Sequence, residues 1–461
     1  MRGESVDPHY LGIAELSALL RSGELGSTEL TRRLLERIER LNPKLNAYVT
    51  VAAEAALADA QAADRRRHAG RWLGPLDGVP VAIKDNIATK GLRTTGGSAL
   101  YRDFMPDQDA TVVGKLRAAG AVILGKTGTH ELAYGTTSIN PFFGRIANPW
   151  DMRRDPGGSS GGSAVAVAAG LAFAALGTDT ACSIRHPGHC CGVVGFKPSF
   201  GLVSAAGVFP LVRTMDHVGP LTRSAECAAL VTAVIAGPDE ADPYSSGRQF
   251  SWPVQGRGGI AGVRLGIARD FFFDGDPEIV DLVDCAIEAL EAQGAVVVQL
   301  DSTGLESSLA ISADLFAEAY AFHADDLAAN PQAFSEELQA KLERKSRIKA
   351  AEYIGACHQR LLLRARMSRL MEQCDVLVAP AATTMPALFD DRPDEYDHHA
   401  SKNATVFNLT GQPSVTIPCG FSGSGLPVGI MMSGAIDGDS ELLAIAGLAE
   451  GVLMARRTPI E

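Results

Sequence analysis

The chain has 461 residues, of which 46% are hydrophobic and 21% charged, with a net charge of −12 at neutral pH. This balance gives a globular protein with ample apolar area for a core. The negative sign excludes the basic face that replaces phosphate counterions, so no nucleic-acid partner is expected. The eight cysteines contain no CxxC pair, which leaves neither metal-ligand spacing nor a disulfide framework. Reduced thiols of a cytoplasmic protein are the plain reading. The opening MRGESVDPHY lacks a basic segment followed by an apolar one, so no signal peptide is expected. The longest nearly apolar run, residues 164–176, falls short of the ~20 residues that cross a bilayer, and no membrane partner is expected. Its alanines and Gly170 predict a closely packed helix.

In chain order, Leu11, Ile13, Leu16, Leu19 and Leu20 recur on one helical face until Gly23 and Gly26 interrupt it. Ser27-Thr28-Glu29 starts a second helix that places Leu30, Leu34, Leu35, Ile38 and Leu41 inward and ends before Pro43. Residues 51–66 are Ala-rich with helical spacing. Turn residues Gly74-Pro75-Leu76-Asp77-Gly78 then lead into a short strand, Val81 to Ile83, with Lys84 at its end. TVVGKLRAAG followed by AVILG gives helix then buried strand, the order of an α/β layer fold with parallel pairing. Beyond residue 185 come a helix over 225–235, alternating elements over 260–300, a long helical region over 305–372, and three more strands with a final helix. Neither a repeat nor a long linker breaks the chain, which favours one domain. It divides into an N-terminal helical wrap (1–70), a core (71–235) and a helical insertion (305–372).

The stretch from Gly157 to Arg185, GGSSGGSAVAVAAGLAFAALGTDTACSIR, carries the chemistry. Its four glycines within six residues cost backbone entropy and call for a close approach or an unusual conformation. A phosphate-binding loop would need Gly-Lys-Ser/Thr after the glycines, whereas Gly161-Gly162 is followed by Ser163-Ala164. A serine hydroxyl becomes nucleophilic only when a base takes its proton. Lysine does so only where burial depresses its pKa of about 10.4 by several units, and Lys84 at the end of an apolar strand suits that. A helical turn starting near Ser183 would leave free N–H groups above its hydroxyl, where an oxyanion needs donors.

These residues resemble the amidase signature family of Ser-Ser-Lys hydrolases. The resemblance runs through Gly78 to Asp85, Gly125-Lys126-Thr127, Asn148 to Asp151, Pro156 to Ser163, Gly177 to Thr180 and Ser183-Ile184-Arg185. It continues in Cys191 to Pro198, Asp216 to Pro220, Phe407 to Gly411 and Gly425 to Gly429, across nearly the whole chain. It implies an α/β fold: a single large α/β/α domain with a mixed, mostly parallel central sheet flanked by helices. It implies Ser183 as nucleophile, Ser159 as bridging serine after a cis peptide at Gly158, and Lys84 as base, with Ser160 supporting the bridge. Thr180, Ala181, Cys182 and Ser183 would supply the oxyanion hole. No cofactor and no metal are implied.

Two departures stand out. Relatives carry glycine before the nucleophile, where this chain has Ala181 and Cys182. If those positions require φ > 0, the loop is strained; if the glycines only leave room, the side chains narrow the pocket. His186, Gly188, His189 and Cys190 replace more apolar residues and reshape packing beneath the site. Specificity is expected from residues 128–143, 205–214 and 305–372, with Tyr134, Phe142, Phe143 and Phe209 as substrate-facing aromatics.

The resemblance implies an amidohydrolase that cleaves a C–N bond of an amide, carbamate or urea through an acyl-enzyme, with a small-molecule substrate and a homodimer as the partner state seen among relatives. The same motifs occur in the glutamine-hydrolysing A subunit of a tRNA-dependent amidotransferase. A binding paralogue is the third reading, motivated by Ala181-Cys182 and opposed by retention of Lys84, Ser159 and Ser183.

Overall fold

The computed structural model describes residues 8–253, 258–393, 395–453, 455 and 457–459. Residues 1–7, on which the expectation of no signal peptide partly rests, lie outside the described residues.

The helices and strands follow the sequence pattern closely at the N-terminus. Helix α1 (Ile13–Ser22) buries Ile13, Leu16 and Leu20 and ends on Gly23 in the left-handed region, φ 83. Helix α2 (Ser27–Leu45) buries Leu30, Leu34, Ile38 and Leu41. It carries Pro43 within its last turn and ends at Asn46, φ 51, later than expected. A proline there removes one i→i−4 bond but does not stop the turn. Strand β1 (Tyr48–Val51) and helix α3 (Ala53–His68) follow.

The elements that carry the site come next. They are β2 (Pro80–Lys84), α4 (Thr111–Ala118), β3 (Val122–Thr127), α5 (Gly161–Ala168), β4 (Ala174–Asp179) and α6 (Arg185–Cys191). The apolar run 164–176, expected as one helix, is divided between α5 and β4. Gly170 adopts φ 65, which ends the helix and turns the chain into the sheet. All eight residues of α5 are buried. A Cβ on Gly162 would come within 2.5 Å of the Gly128 amide and 2.6 Å of the Ala47 carbonyl, so this helix seats against backbone where no side chain fits.

The second half contributes β5 (Val194–Lys197), β6 (His217–Thr222), α7 (Ala225–Ile235), β7 (Arg264–Ile267), α8 (Arg269–Phe272), α9 (Pro277–Ala292) and β8 (Val296–Gln299). A helical layer follows: α10 (Ser308–Leu315), α11 (Ala317–Ala329), α12 (Glu336–Lys345) and α13 (Ala350–Met371). The chain closes with β9 (Val376–Pro380), α14 (Tyr396–Thr410), β10 (Ser414–Phe421), β11 (Pro427–Ser433) and α15 (Asp439–Leu453).

The strands make one eleven-stranded sheet in the order β1-β3-β2-β4-β6-β5-β10-β11-β9-β7-β8. It is mixed and flanked by helices, the single α/β domain expected. The expectation of mostly parallel pairing needs correction. Parallel pairing is confined to β3-β2-β4 and to β8-β7-β9, and every other neighbouring pair is antiparallel. The physical reason lies in the connections. A short turn joins β10 to β11 as a hairpin, and β6 pairs antiparallel to both β4 and β5, which the helix-then-strand rhythm of residues 111–125 does not foretell. Since β2 and β4 are parallel neighbours, their carboxyl ends open on the same edge, the position where open α/β sheets present ligand sites.

Candidate active site

Lys84 is the last residue of β2, whose five residues are all buried between β3 and β4. Its Nζ lies 2.7 Å from Ser159 Oγ and 2.7 Å from Thr178 Oγ1. Burial pushes its ammonium down to about 7, against the opposing pull of Asp179 and Asp216. The amine can therefore take a proton near neutral pH while touching a serine hydroxyl.

Ser159 sits in the glycine loop that precedes α5, after a cis Gly158–Ser159 peptide. A Cβ on Gly158 would overlap the Thr137 carbonyl, which accounts for that glycine. The loop is pinned on both sides: Ser138 Oγ donates to the Gly157 carbonyl at 2.8 Å, and the Gly157 amide donates to Asp155 at 2.6 Å. Ser160 ties it to the next segment. Its amide donates to the Ser183 carbonyl at 3.2 Å, and its hydroxyl donates to the Thr178 carbonyl at 3.1 Å. Ser160 thus lies between the glycine loop and the residues that follow β4.

Ser183 follows β4 and opens on a cavity of about 230 Å³. Among the described residues its hydroxyl has no hydrogen-bond partner. The structure therefore joins Lys84 to Ser159 directly, while Ser183 is tied to the glycine loop by its backbone carbonyl, which accepts from the Ser160 amide. No turn, loop or cap hydrogen bond among the described residues takes the N–H of Thr180, Ala181, Cys182 or Ser183. These four residues line the cavity. The helical turn expected to start at Ser183 starts two residues later, at Arg185.

What holds that loop was not legible as a role in the sequence. Asp179 accepts from the amides of Ile184 and Arg185 at 3.0 and 3.4 Å, so its carboxylate takes the first donors of α6. Arg185 grips the same carboxylate through Nε at 3.0 Å and Nη2 at 2.8 Å, and both side chains are fully buried. Burial alone would raise the Asp179 carboxyl, but the Arg185 guanidinium and the hydrogen bonds hold it well below the usual range. Asn408 donates to Asp179 at 2.9 Å and accepts from Arg185 at 2.5 Å. On the other side, Thr180 donates to Asp216 at 2.6 Å. Asp179, Arg185, Asp216 and Asn408 all lie within the motifs quoted above. Their presence there was the available signal: Asp179 and Arg185 are six residues apart, but Asp216 reaches Thr180 and Asn408 reaches Arg185 from distant segments.

The departures resolve in part. Among the described residues, positive φ at non-glycine positions occurs at Asn46, Leu132, Ala133 and Asp437. Ala181 and Cys182 are not among them, so their side chains stand in ordinary backbone and the strained alternative falls. Cys182 is 1% exposed, and burial pushes its thiol pKa up, which keeps it protonated rather than a rival nucleophile. His186 and His189 lie buried on α6. Burial pushes them down to about 3 and about 4, and His186 meets the Tyr396 hydroxyl at 3.3 Å, away from the lysine.

Of the aromatics expected to face substrate, only Tyr134 lines the cavity. It follows Leu132 and Ala133, both in the left-handed region, φ 46 and 60, a conformation that side chains adopt where surrounding structure imposes it. Phe209 instead stacks on Tyr101 at 4.8 Å, and Arg102 lies over Phe143 at 5.3 Å. Phe142 is half-buried on the same loop. The opposite wall comes from the helical layer, with Leu309, Phe316 and Lys345, and from α14, with Asp397 and Thr405. The α14 residues were missed: nothing local distinguishes them from any polar helical face.

With this geometry in hand, comparison with known proteins decides the family: the amidase family model matches residues 29–443. The chain belongs to the amidase family. It is 38% identical over 466 residues to the A subunit of the glutamyl-tRNA(Gln) amidotransferase of Geobacter sp. (strain M21), covering 95% of this chain and 96% of that protein. A solved vestigial protein complex that reveals the origins of an s-triazine catabolic enzyme superposes with a TM-score of 0.91. It is 32% identical and covers 97% of this chain and all of its own. A crystal structure of an amidase gives a TM-score of 0.88 at 32% identity, covering 96% of this chain and 100% of that one.

This amidase therefore comes from a family of hydrolases acting on C–N bonds. The expected partner set, a small molecule alone with no nucleic acid, does not stand. The curated relatives matched over nearly their whole length are named as subunits of an enzyme for glutamyl-tRNA(Gln). The reason is physical. A net charge of −12 bears on whether this chain's own surface draws phosphates, not on what an assembly containing such a chain can hold. Among the described residues no helix is long and apolar enough to cross a membrane.

Proposed function

We propose that this chain hydrolyses a primary carboxamide as the amide-cleaving component of an amidotransferase-type enzyme, with glutamine as the substrate. Ser183 attacks the carboxamide carbon. Its proton passes to Ser159, whose own proton passes to neutral Lys84. The amides of residues 180–183 receive the oxyanion. As the tetrahedral intermediate collapses, Lys84 returns a proton through Ser159 to the departing nitrogen, and ammonia leaves an acyl-enzyme. Water then repeats the path and releases the acid. The observation that carries this reading is the fully buried Lys84 amine 2.7 Å from Ser159, beside a serine whose loop amides are open. The substrate rests on the relatives: their curated A subunits match at 36–38% identity along nearly the whole chain.

A second reading is a free-standing hydrolase of a small amide, carbamate or urea. Ala181 and Cys182 favour it, because their side chains narrow the cavity at the reacting end. One screen separates the two. Ammonia release is measured from glutamine and from short aliphatic amides, aryl amides and aryl carbamates, with the purified chain alone and with amidotransferase partner subunits and glutamyl-tRNA. Glutaminase activity that needs the partners supports the first reading, and turnover of small amides by the chain alone supports the second. Turnover that persists in Ser183→Ala would sink both.

A further inference from the structure

The cavity beside Ser183 holds three charged side chains, and they are unequally compensated. Lys341 is paired with Glu337 at 2.6 Å and donates to the Tyr134 carbonyl at 3.0 Å. Asp397 accepts from Thr136 and faces Arg392 at 3.9 Å. Lys345, one turn beyond Lys341 on α12, has no carboxylate within ion-pair distance among the described residues. Its ammonium donates to the Ala313 carbonyl at 2.7 Å and lies 6.0 Å from the Phe316 ring centroid. A lysine has three N–H donors, so two are left without a protein acceptor. The side chain is half-buried, and its desolvation works against the charge. A cation in that position gains more from an anion than one in open water, because the attraction grows as the local dielectric falls. Ser183 lines the same cavity.

We propose that Lys345 is the counter-ion for a carboxylate carried by the substrate at the end remote from the scissile amide, so that the substrate class is a small amide bearing a terminal carboxylate. This rests on Ser183 as the site of attack for its orientation, and it holds for glutamine and for non-amino amides alike. The partnered state of Asp397 makes the carboxylate, rather than an ammonium, the charge that the cavity selects.

The test uses glutarate, a product-like probe that needs no turnover. Calorimetric titration should show glutarate binding to the full chain, weakened at least tenfold in Lys345→Met and within about threefold of wild type in Lys345→Arg, where the charge is kept. In parallel, the ratio of kcat/KM for glutaramate to that for pentanamide, its uncharged counterpart, should fall at least tenfold in Lys345→Met. Glutarate binding that is absent in wild type, or equal in Lys345→Met, overturns the proposal. If glutarate binding depends on Lys345 but no amide is turned over, the proposed function fails, and of this inference the carboxylate site at Lys345 stands without its substrate class. If amides are turned over with an unchanged ratio, the reverse holds.

Discussion

The edge of the sheet and the helical layer above it are built on different principles. At the edge, Lys84, Ser159, Ser160 and Thr178 are buried and share hydrogen bonds of 2.7 to 3.3 Å. Their positions are set by strands β2 and β4 and by a loop whose glycines leave no room for side chains. In the layer, α10, α12 and α14 meet the cavity with two or three residues each from otherwise ordinary helices. On the reading proposed here, the edge sets which bond is attacked and the layer sets what else the substrate carries. A change at the edge should therefore remove the chemistry for every substrate, whereas a change in the layer should redistribute it among substrates.

The largest expected effect tests the edge. Ser183→Ala and Lys84→Ala should each lower kcat by about ten-thousand-fold or more for every amide tested, the scale at which nucleophile and base act as one unit. A covalent fluorophosphonate label on Ser183 should vanish in the first variant and slow sharply in the second. A loss confined to one substrate would mean that these residues belong to specificity, and the contrast between the two regions would collapse.

Next in size is the brace behind Ser183. Arg185→Ala leaves the Asp179 carboxylate buried without its partner, and breaking a buried pair in this way costs about 3–5 kcal/mol. Thermal or urea unfolding should show it directly. An exposed pair such as Arg153 with Asp151 should change stability little when cut.

The pH dependence is smaller and carries a definite sign. Lys84 must be neutral to act as base, and burial pushes it down to about 7. The kcat/KM should therefore be level above that value and fall toward tenfold per pH unit below it. Stability follows a different window. Between about 7 and the unfolded lysine value of about 10.4, the unfolded chain holds a proton that the folded one lacks, so this group's contribution to stability rises with pH. Lys84→Ala should remove that part of the slope.

The contrast also explains what could be read in the sequence. Lys84, Ser159 and Ser183 stood out as candidates because each lies in a contiguous motif of glycines and small residues, and the contact of Lys84 with Ser159 is what the structure adds. The parallel pairing of β2 with β3 and β4 was legible from the helix-then-strand order. The brace of Asp179, Arg185 and Asn408 was visible only as letters within motifs, since Asn408 lies more than 220 residues from the other two. The layer was expected to shape specificity as a segment, residues 305–372, but not by which side chains. Phe142, Phe143 and Phe209 looked like pocket residues because aromatic side chains on loops often are, yet Phe209 is spent on Tyr101 and Phe143 on Arg102. Asp397 and Lys345 gave no local sign, because a polar residue on a helix acquires its meaning only from what the tertiary fold sets opposite.

Cys182 lies between the two regions, and its effect should be the smallest. It belongs to the oxyanion loop by sequence but touches the cavity as a wall residue. Its backbone is not in the left-handed region, so Cys182→Gly relieves no strain; it adds freedom to the unfolded chain, of order 1 kcal/mol, and removes the packing of a buried side chain. What it changes is space beside the attacked carbon. If the side chain restricts that space, the variant should gain severalfold in kcat/KM on amides with a bulkier acyl carbon, and the smallest amides should change less. A uniform loss across all amides would instead show that the cysteine steadies the oxyanion amides and so belongs with the chemistry of the sheet edge. Equal rates throughout would show that the departure from glycine is neutral at this position, and selection would then rest on the helical layer alone.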